Sequence, residues 1–183
     1  MGTIRKQSIY GTIVIYFGVI IGFINTGLLL PKLFSLDEIG LVNVLVAYAT
    51  ILAQFSSLGI NNATIRMFPY FRNPDNKHNG FMGIGVIVIT IGFLISLMVF
   101  FLLENTLIQK GTEQSFLFGD YYQFIIPLMF LILLFLFYDT YLRVLYKSTV
   151  GLILKEVVQR VIILASIILY SFNVINFERF LYL

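Results

Sequence analysis

Hydrophobic residues run through this chain in long stretches, and one stretch carries a regular polar edge. Between Leu36 and Arg66, small or polar side chains recur at steps of three and four residues: Gly40, Asn43, Ala47, Thr50, Gln54, Ser57, Asn61 and Thr64. At about 3.6 residues per turn, these positions fall on one face of a single helix. The pattern therefore predicts an apolar helix with a polar stripe, the name used below for these eight residues.

Five stretches of the chain are long and apolar enough to cross a bilayer, which takes about 20 residues in a helix. The predicted spans are Ser8–Leu33, Asp37–Arg66, Phe81–Leu103, Tyr122–Tyr146 and Leu154–Phe172. The last residues, 177–183, have the composition of a sixth span that has just begun. We expect an all-α, polytopic transmembrane bundle that forms a single domain over residues 1–183. We also expect a longer protein that continues past this point; the alternative is a natural five-span protein with a short amphipathic tail.

The composition supports a membrane protein over a soluble one. Of the 183 residues, 59% are hydrophobic and only 11% are charged, whereas an average soluble protein carries about 25% charged residues. The chain contains no cysteine and a single histidine, His78, so disulfides are excluded and a zinc site is not expected. Neither a cofactor nor a metal is predicted.

The charged residues between the spans predict the orientation of the chain. With a cytosolic amino terminus, the inner side holds nine basic residues: Arg5, Lys6, Arg66, Arg72, Lys77, Arg143, Lys147, Lys155 and Arg160. The outer side then holds only three: Lys32, Lys110 and Arg179. This asymmetry follows the positive-inside rule and predicts that the amino terminus is cytosolic. The net charge of +3 thus reflects topology, and no nucleic-acid partner is expected.

Two interpretations of the polar stripe are open. Its members could line a cavity that hydrogen-bonds a polar solute, because lipid offers polar side chains no partners. They could instead allow close helix packing, which small residues favour inside membranes. Asn43, Gln54 and Asn61 are larger than packing requires. These three amides are therefore the predicted contacts to a polar substrate.

Charged side chains within the predicted spans are further candidates. Asp139 and Arg143 lie one helical turn apart and could form a functional pair inside the membrane or an ordinary pair near its surface. Asp139 is also the candidate for coupling to an ion. Arg66, Arg143 and Arg160 are predicted at the inner ends of three spans, where they could bind a phosphate or pyrophosphate group. The alternative is that they set topology and contact anionic lipid.

The first span carries Gly18 and Gly22 four residues apart, with Asn25 and Thr26 continuing the same face. This spacing predicts close packing against another helix. The chain has no serine–histidine–aspartate set, no glycine-rich phosphate loop and no run of acidic metal ligands. An enzyme is therefore not expected.

Several segments resemble the polysaccharide flippases of the multidrug/oligosaccharidyl-lipid/polysaccharide exporter superfamily. These are Ile4–Gly11, Leu36–Leu41, Leu58–Pro69 and the pair Glu156 and Arg160, taken in this order and spacing. Members of that family have twelve or fourteen helices in two bundles around a central cavity. The resemblance implies that this chain is most of the amino-terminal bundle. It also implies a bacterial-type cytoplasmic membrane as the location.

By this resemblance, the expected function is to flip an undecaprenyl-linked oligosaccharide by alternating access for surface polysaccharide synthesis. The implied partners are the lipid-linked saccharide, membrane lipids and other polysaccharide-synthesis proteins such as a saccharide polymerase. One alternative is a cation-coupled multidrug exporter of the same superfamily. That branch often carries a carboxylate in its first helix, whereas the first span here has none. The other alternative is a membrane scaffold subunit that transports nothing.

Overall fold

A computed structural model describes residues 3–73, 76–172 and 174–181, and all regular structure in these ranges is helical. In chain order the α-helices are α1 (Thr3–Gly22), α2 (Leu30–Leu33), α3 (Leu36–Ser56), α4 (Ile60–Phe71), α5 (Phe81–Leu102), α6 (Glu104–Gln114), α7 (Phe118–Tyr121), α8 (Ile125–Val144), α9 (Ser148–Ile153), α10 (Gln159–Ser171) and α11 (Phe177–Leu181). Two π-helical segments, Phe23–Leu29 and Leu154–Val158, join α1 to α2 and α9 to α10. Short 3₁₀ turns, Lys77–Gly80 and Tyr122–Phe124, precede α5 and α8.

Four of the helical stretches are long and apolar enough to cross a membrane: Ser8–Leu33, Leu36–Ser56, His78–Leu102 and Phe118–Val144. They confirm the all-helical, multi-span character of the chain, and the first has the predicted limits. The predicted fifth span is helical but is not among the four, because Lys155, Glu156 and Arg160 interrupt its apolar character. A fifth crossing and the cytosolic amino terminus stay predictions.

The chain divides into two compact units. The first unit contains residues 1–39 and 147–183, and the second contains residues 40–146. In the first unit, α1 packs along α9, α10 and the π-helical segment between them. In the second unit, α8 packs against α4 and α5.

Ser35 and Glu38 have the sequence spacing that is typical of a capping box, and they cap the start of α3. Glu38 Oε2 accepts hydrogen bonds from the Ser35 amide at 2.8 Å and the Ser35 hydroxyl at 3.0 Å. The Glu38 amide donates in return to the Ser35 hydroxyl oxygen at 3.3 Å. This reciprocal capping box satisfies amide groups that the first turn of α3 leaves without helical partners.

Glycines on one face of α5 let other parts of the second unit approach closely. A methyl group at Gly85 would overlap the ring of Phe137 on α8. A methyl group at Gly92 would overlap the backbone carbonyl of Ser56, the last residue of α3. Small residues commonly permit such contacts between membrane helices. These two glycines therefore set how closely α8 and the end of α3 lie against α5.

The second predicted span is not one helix. It ends at Ser56 and begins again at Ile60, with Leu58 (φ 45°) and Gly59 (φ 76°) in left-handed conformations between the two parts. A left-handed residue cannot continue a right-handed helix. The prediction of a single helix over Asp37–Arg66 is therefore wrong, and α4 continues through Pro69 to Phe71.

Replacing Gly92 with alanine is expected to destabilise the protein by about 1–3 kcal/mol, because the added methyl group overpacks against the Ser56 carbonyl. Gly83→Ala, on the same helix, is the matched control, since no atom lies within 4 Å of the position that its methyl group would take. Thermal unfolding in detergent measures both variants. Equal melting temperatures would contradict the close approach of α3 to α5.

Candidate functional site

The helix break in the second unit lies halfway along the spans that it packs against. Ser56 contacts Gly92, which is two residues from the middle of the span His78–Leu102. The Ser56 hydroxyl also lies 3.8 Å from the sulfur of Met129, two residues from the middle of Phe118–Val144. Helices interrupted near the bilayer midplane form substrate and ion sites in many transporters. We therefore treat the break as the candidate functional site.

Local hydrogen bonds hold the backbone of the break. The Ser57 amide donates to the Ala53 carbonyl at 3.1 Å, and its hydroxyl donates to the Gln54 carbonyl at 2.7 Å. The Leu58 amide donates to the Phe55 carbonyl at 3.1 Å, and the amide of Ile60 donates back to the Ser57 carbonyl at 2.8 Å. The two helices are thus joined by an ordered turn.

One side of this turn is open. Leu58 is 52% exposed and Gly59 is also exposed, although Ser56 and Ser57 beside them are buried. Irregular backbone at membrane depth is tolerated where protein covers it or where it lines a water-filled cavity, and not in contact with lipid. The exposed turn therefore indicates a surface that faces a water-filled cavity or other protein, and not lipid.

The polar stripe keeps one face of α3 and loses its continuity at the break. Its two amides on α3, Asn43 and Gln54, are both exposed. The opposite face is buried and carries Leu41, Leu45, Ala49, Ala53 and Ser56. Small residues thus pack inward on α3 while the amides point away from the core of the unit.

Beyond the break, the stripe residues lie in a different environment. Ser57 and Thr64 are buried and Asn61 is half-buried, because the left-handed turn changes which face α4 presents. The side-chain oxygens Asn61 Oδ1 and Thr64 Oγ1 are buried, and neither has a hydrogen-bond partner among the residues that the structure describes. The prediction that all eight positions form one continuous stripe is wrong, because it assumed one unbroken helix.

Asp139 and Arg143 form the predicted pair on α8. Nη2 of Arg143 donates to Oδ2 of Asp139 at 2.5 Å. The carboxylate is buried, whereas the Arg143 side chain is 63% exposed. Arg66 on α4 is also exposed. Two of the predicted phosphate contacts are therefore accessible, and Asp139 is already neutralised by its own helix.

Arg160, the third predicted phosphate contact, is in the first unit and is engaged there. Its guanidinium donates to the Gly18 carbonyl at 2.6 Å and to Oε2 of Glu156 at 2.7 Å. It also occupies the space beside Gly22. This contact confirms the predicted packing face of Gly18 and Gly22. It favours a structural role for Arg160, and its phosphate role stays a prediction.

Asn25, in the π-helical segment after α1, completes this joint with α10. Nδ2 of Asn25 donates to the backbone carbonyl of Arg160 at 2.8 Å, and only 2% of the residue is exposed. Within the described ranges, its Oδ1 atom has no partner. Asn25 and Glu156 both lie in π-helical segments, which often occur at functional positions in helices.

Sequence reasoning missed the break although its signal was present. Ser57 and Gly59 flank Leu58, and serine with glycine favours a turn over a helix. The apolar period continues on both sides of this signal and hides it in the sequence.

Comparison of the chain with models of protein families, with curated proteins and with solved structures found no match.

Cysteine labelling tests whether the stripe on α3 faces water. The chain has no native cysteine, so single replacements at Asn43, Gln54, Phe55 and Ala53 can be compared directly in intact membranes. We expect Asn43→Cys and Gln54→Cys to react with a charged, membrane-impermeant thiol reagent, because these positions are exposed on the polar side.

Two controls define the result. Phe55 is 72% exposed but lies off the stripe, so Phe55→Cys should react with an apolar maleimide and not with the charged reagent. Ala53 is fully buried, and Ala53→Cys should react with neither. A stripe that behaves like Phe55 would show that its amides face lipid, which would remove the proposed site.

Proposed function

We propose that this protein moves an undecaprenyl-linked oligosaccharide across the bacterial cytoplasmic membrane for the synthesis of surface polysaccharide. The observation that supports the proposal is an exposed helix break opposite the middle of two apolar spans, with two exposed amides, Asn43 and Gln54, on the preceding helix. A protein that faced only lipid would have no use for these groups. The resemblance of Leu36–Leu41 and Leu58–Pro69 to polysaccharide flippases supports the same function.

The physical task explains why amides are suited to this surface. A saccharide gives up its hydration when it enters a membrane about 30 Å thick, and each unmet hydroxyl group costs free energy. Asn43 and Gln54 each offer both a donor and an acceptor. They can replace water for hydroxyl groups in many orientations. The polyprenyl tail needs no such surface, because it can stay in the lipid.

The phosphate groups of the substrate would meet positive charge at one end of the second unit. Arg66 and Arg143 lie toward this end and are both exposed, whereas Glu104, Glu113 and Asp120 belong to the opposite end. By the positive-inside rule, the basic end is cytosolic. A lipid-linked substrate made in the cytosol would therefore first contact the arginines.

The break also offers a way to alternate access. Two left-handed residues at half depth allow α4 to change its angle relative to α3 without unwinding either helix. Hinges of transporters and enzymes commonly consist of a few such residues at the ends of regular elements. In the proposal, Leu58 and Gly59 act as this hinge, while Asn43 and Gln54 of the polar stripe hold the saccharide.

The multidrug-exporter alternative depends on Asp139, and the structure favours it less. A coupling carboxylate must exchange a cation or proton with its surroundings, yet Asp139 is buried and bonded to Arg143. The scaffold alternative gives no reason for exposed amides on a membrane helix. The scaffold alternative gives no reason for the break either.

The double variant Asn43→Leu with Gln54→Leu is expected to slow flipping about thirtyfold, since two hydrogen bonds of about 1 kcal/mol each would be lost in transit. The measurement uses the intact transporter in vesicles. Externally added lectin reports when a polyprenyl-diphosphate saccharide placed in the inner leaflet reaches the outer leaflet.

The matched control is Asn62→Leu, which removes an exposed amide from α4 that is not part of the stripe. We expect this variant to flip the lipid at the normal rate. An unchanged rate in the double variant, with equal amounts of folded protein, would contradict the proposed function.

The variant Asp139→Asn separates transport of lipid-linked saccharide from export of cations. We expect it to leave resistance to cationic drugs unchanged in a sensitive host, because Asp139 is paired within its own helix. Cells with and without the wild-type protein give the reference for the growth measurement. A loss of resistance that the wild-type protein had conferred would instead support the exporter.

A further inference from the structure

A small pocket opens at the basic end of the second unit. Its wall consists of Phe68 and Pro69 from α4 and Val144 from α8, and its rim carries Arg72 and Tyr146. The cavity has a volume of about 200 Å³ and is open on one side. An apolar wall with a cation at its mouth suits a ligand that is itself apolar at one end and anionic at the other.

The position of the Arg72 guanidinium is fixed by an aromatic ring. Its central carbon lies 4.4 Å from the centre of the Tyr146 ring. Tyr146 has a φ of 61°, a left-handed conformation that is costly for an aromatic residue. This conformation follows the end of α8 and brings the ring beneath the arginine. The local structure thus holds one cation at the mouth of the pocket at the expense of backbone strain.

Arg72 differs from the other engaged arginines in what it contacts. Arg143 and Arg160 are each bonded to a carboxylate on their own helix, whereas the recorded contact of Arg72 is with the Tyr146 ring. Stacking on a ring leaves the edge of a guanidinium able to donate hydrogen bonds. Among the residues that the structure describes, no carboxylate is paired with Arg72, so its guanidinium can bind an anion in two-pronged fashion.

The depth of the pocket identifies where such an anion would come from. Val144 is the last residue of the apolar span Phe118–Val144, so the pocket lies at the end of the hydrocarbon region. Phe68 packs there with Phe81 and Tyr141 in a buried cluster, which keeps the wall rigid. Lipid phosphate groups lie immediately outside the hydrocarbon core.

We propose that this pocket is a binding site for the phosphate group of an anionic phospholipid. Arg72 holds the phosphate, Tyr146 holds Arg72, and the start of the acyl chains lies against Phe68 and Val144. The site does not depend on the transport function proposed above. It would tie the end of α4 to the membrane surface.

Native mass spectrometry of the detergent-purified protein tests the site with phosphatidylglycerol, with phosphatidylcholine and with inorganic phosphate at equal concentrations. We expect phosphatidylglycerol to bind at least several-fold more tightly than the other two. Arg72→Gln should weaken this binding about tenfold, as expected for loss of a charge-assisted pair. Lys155→Gln removes one positive charge from an exposed position outside the pocket, on the same predicted side of the membrane, and should change binding less than twofold.

The variant Tyr146→Gly distinguishes weaker binding from loss of the folded structure. Glycine adopts the left-handed conformation without strain, so the melting temperature should not fall, whereas binding should weaken because Arg72 loses its support. Equal losses in Arg72→Gln and Lys155→Gln would overturn the proposal in favour of diffuse surface charge. Equal binding of inorganic phosphate would overturn the lipid assignment. Full binding by Tyr146→Gly would overturn the role of the ring.

Discussion

The need to satisfy backbone polar groups inside an apolar environment governs the second unit. A chain that stops being helical halfway through a membrane exposes amides and carbonyls that lipid cannot satisfy. Here the turn after α3 meets that need through local hydrogen bonds from Ser57, Leu58 and Ile60, while the Ser56 carbonyl lies close against Gly92. The packing of α3, α5 and α8 is therefore organised around the one place where the helix is interrupted.

The first unit solves a related problem with charged groups. Arg160 and Glu156 neutralise each other on one helix, and Arg160 and Asn25 then exchange hydrogen bonds with the backbone of the opposite helix. The glycines at 18 and 22 make room for this joint. In both units, small residues allow close approach and a polar group fills the resulting space, which is how membrane helices associate without a hydrophobic driving force.

The proposed function depends on the polar groups that the packing of the two units leaves exposed. Once small residues have taken the inward face of α3, Asn43 and Gln54 are directed away from the unit, and the turn at Leu58 is open beside them. An exposed polar surface at half depth is of use to a protein that conducts a polar molecule, and it is a liability to one that does not. In the proposed roles, Arg66 and Arg72 at the basic end would hold phosphate at the membrane surface.

The sequence by itself determined the helical class, the first span, the capping box at Ser35 and the Asp139–Arg143 pair, because each depends on residues within one or two turns of a helix. The tertiary structure decided the rest. The apolar period continues through Leu58 and hid a turn that is held by Gly92, which lies far away along the chain. Spacing placed Arg160 near a membrane surface, and only the packed helices directed its guanidinium to the Gly18 carbonyl. Helical periodicity describes one helix at a time, whereas the partner of a buried polar group is chosen by the neighbouring helix.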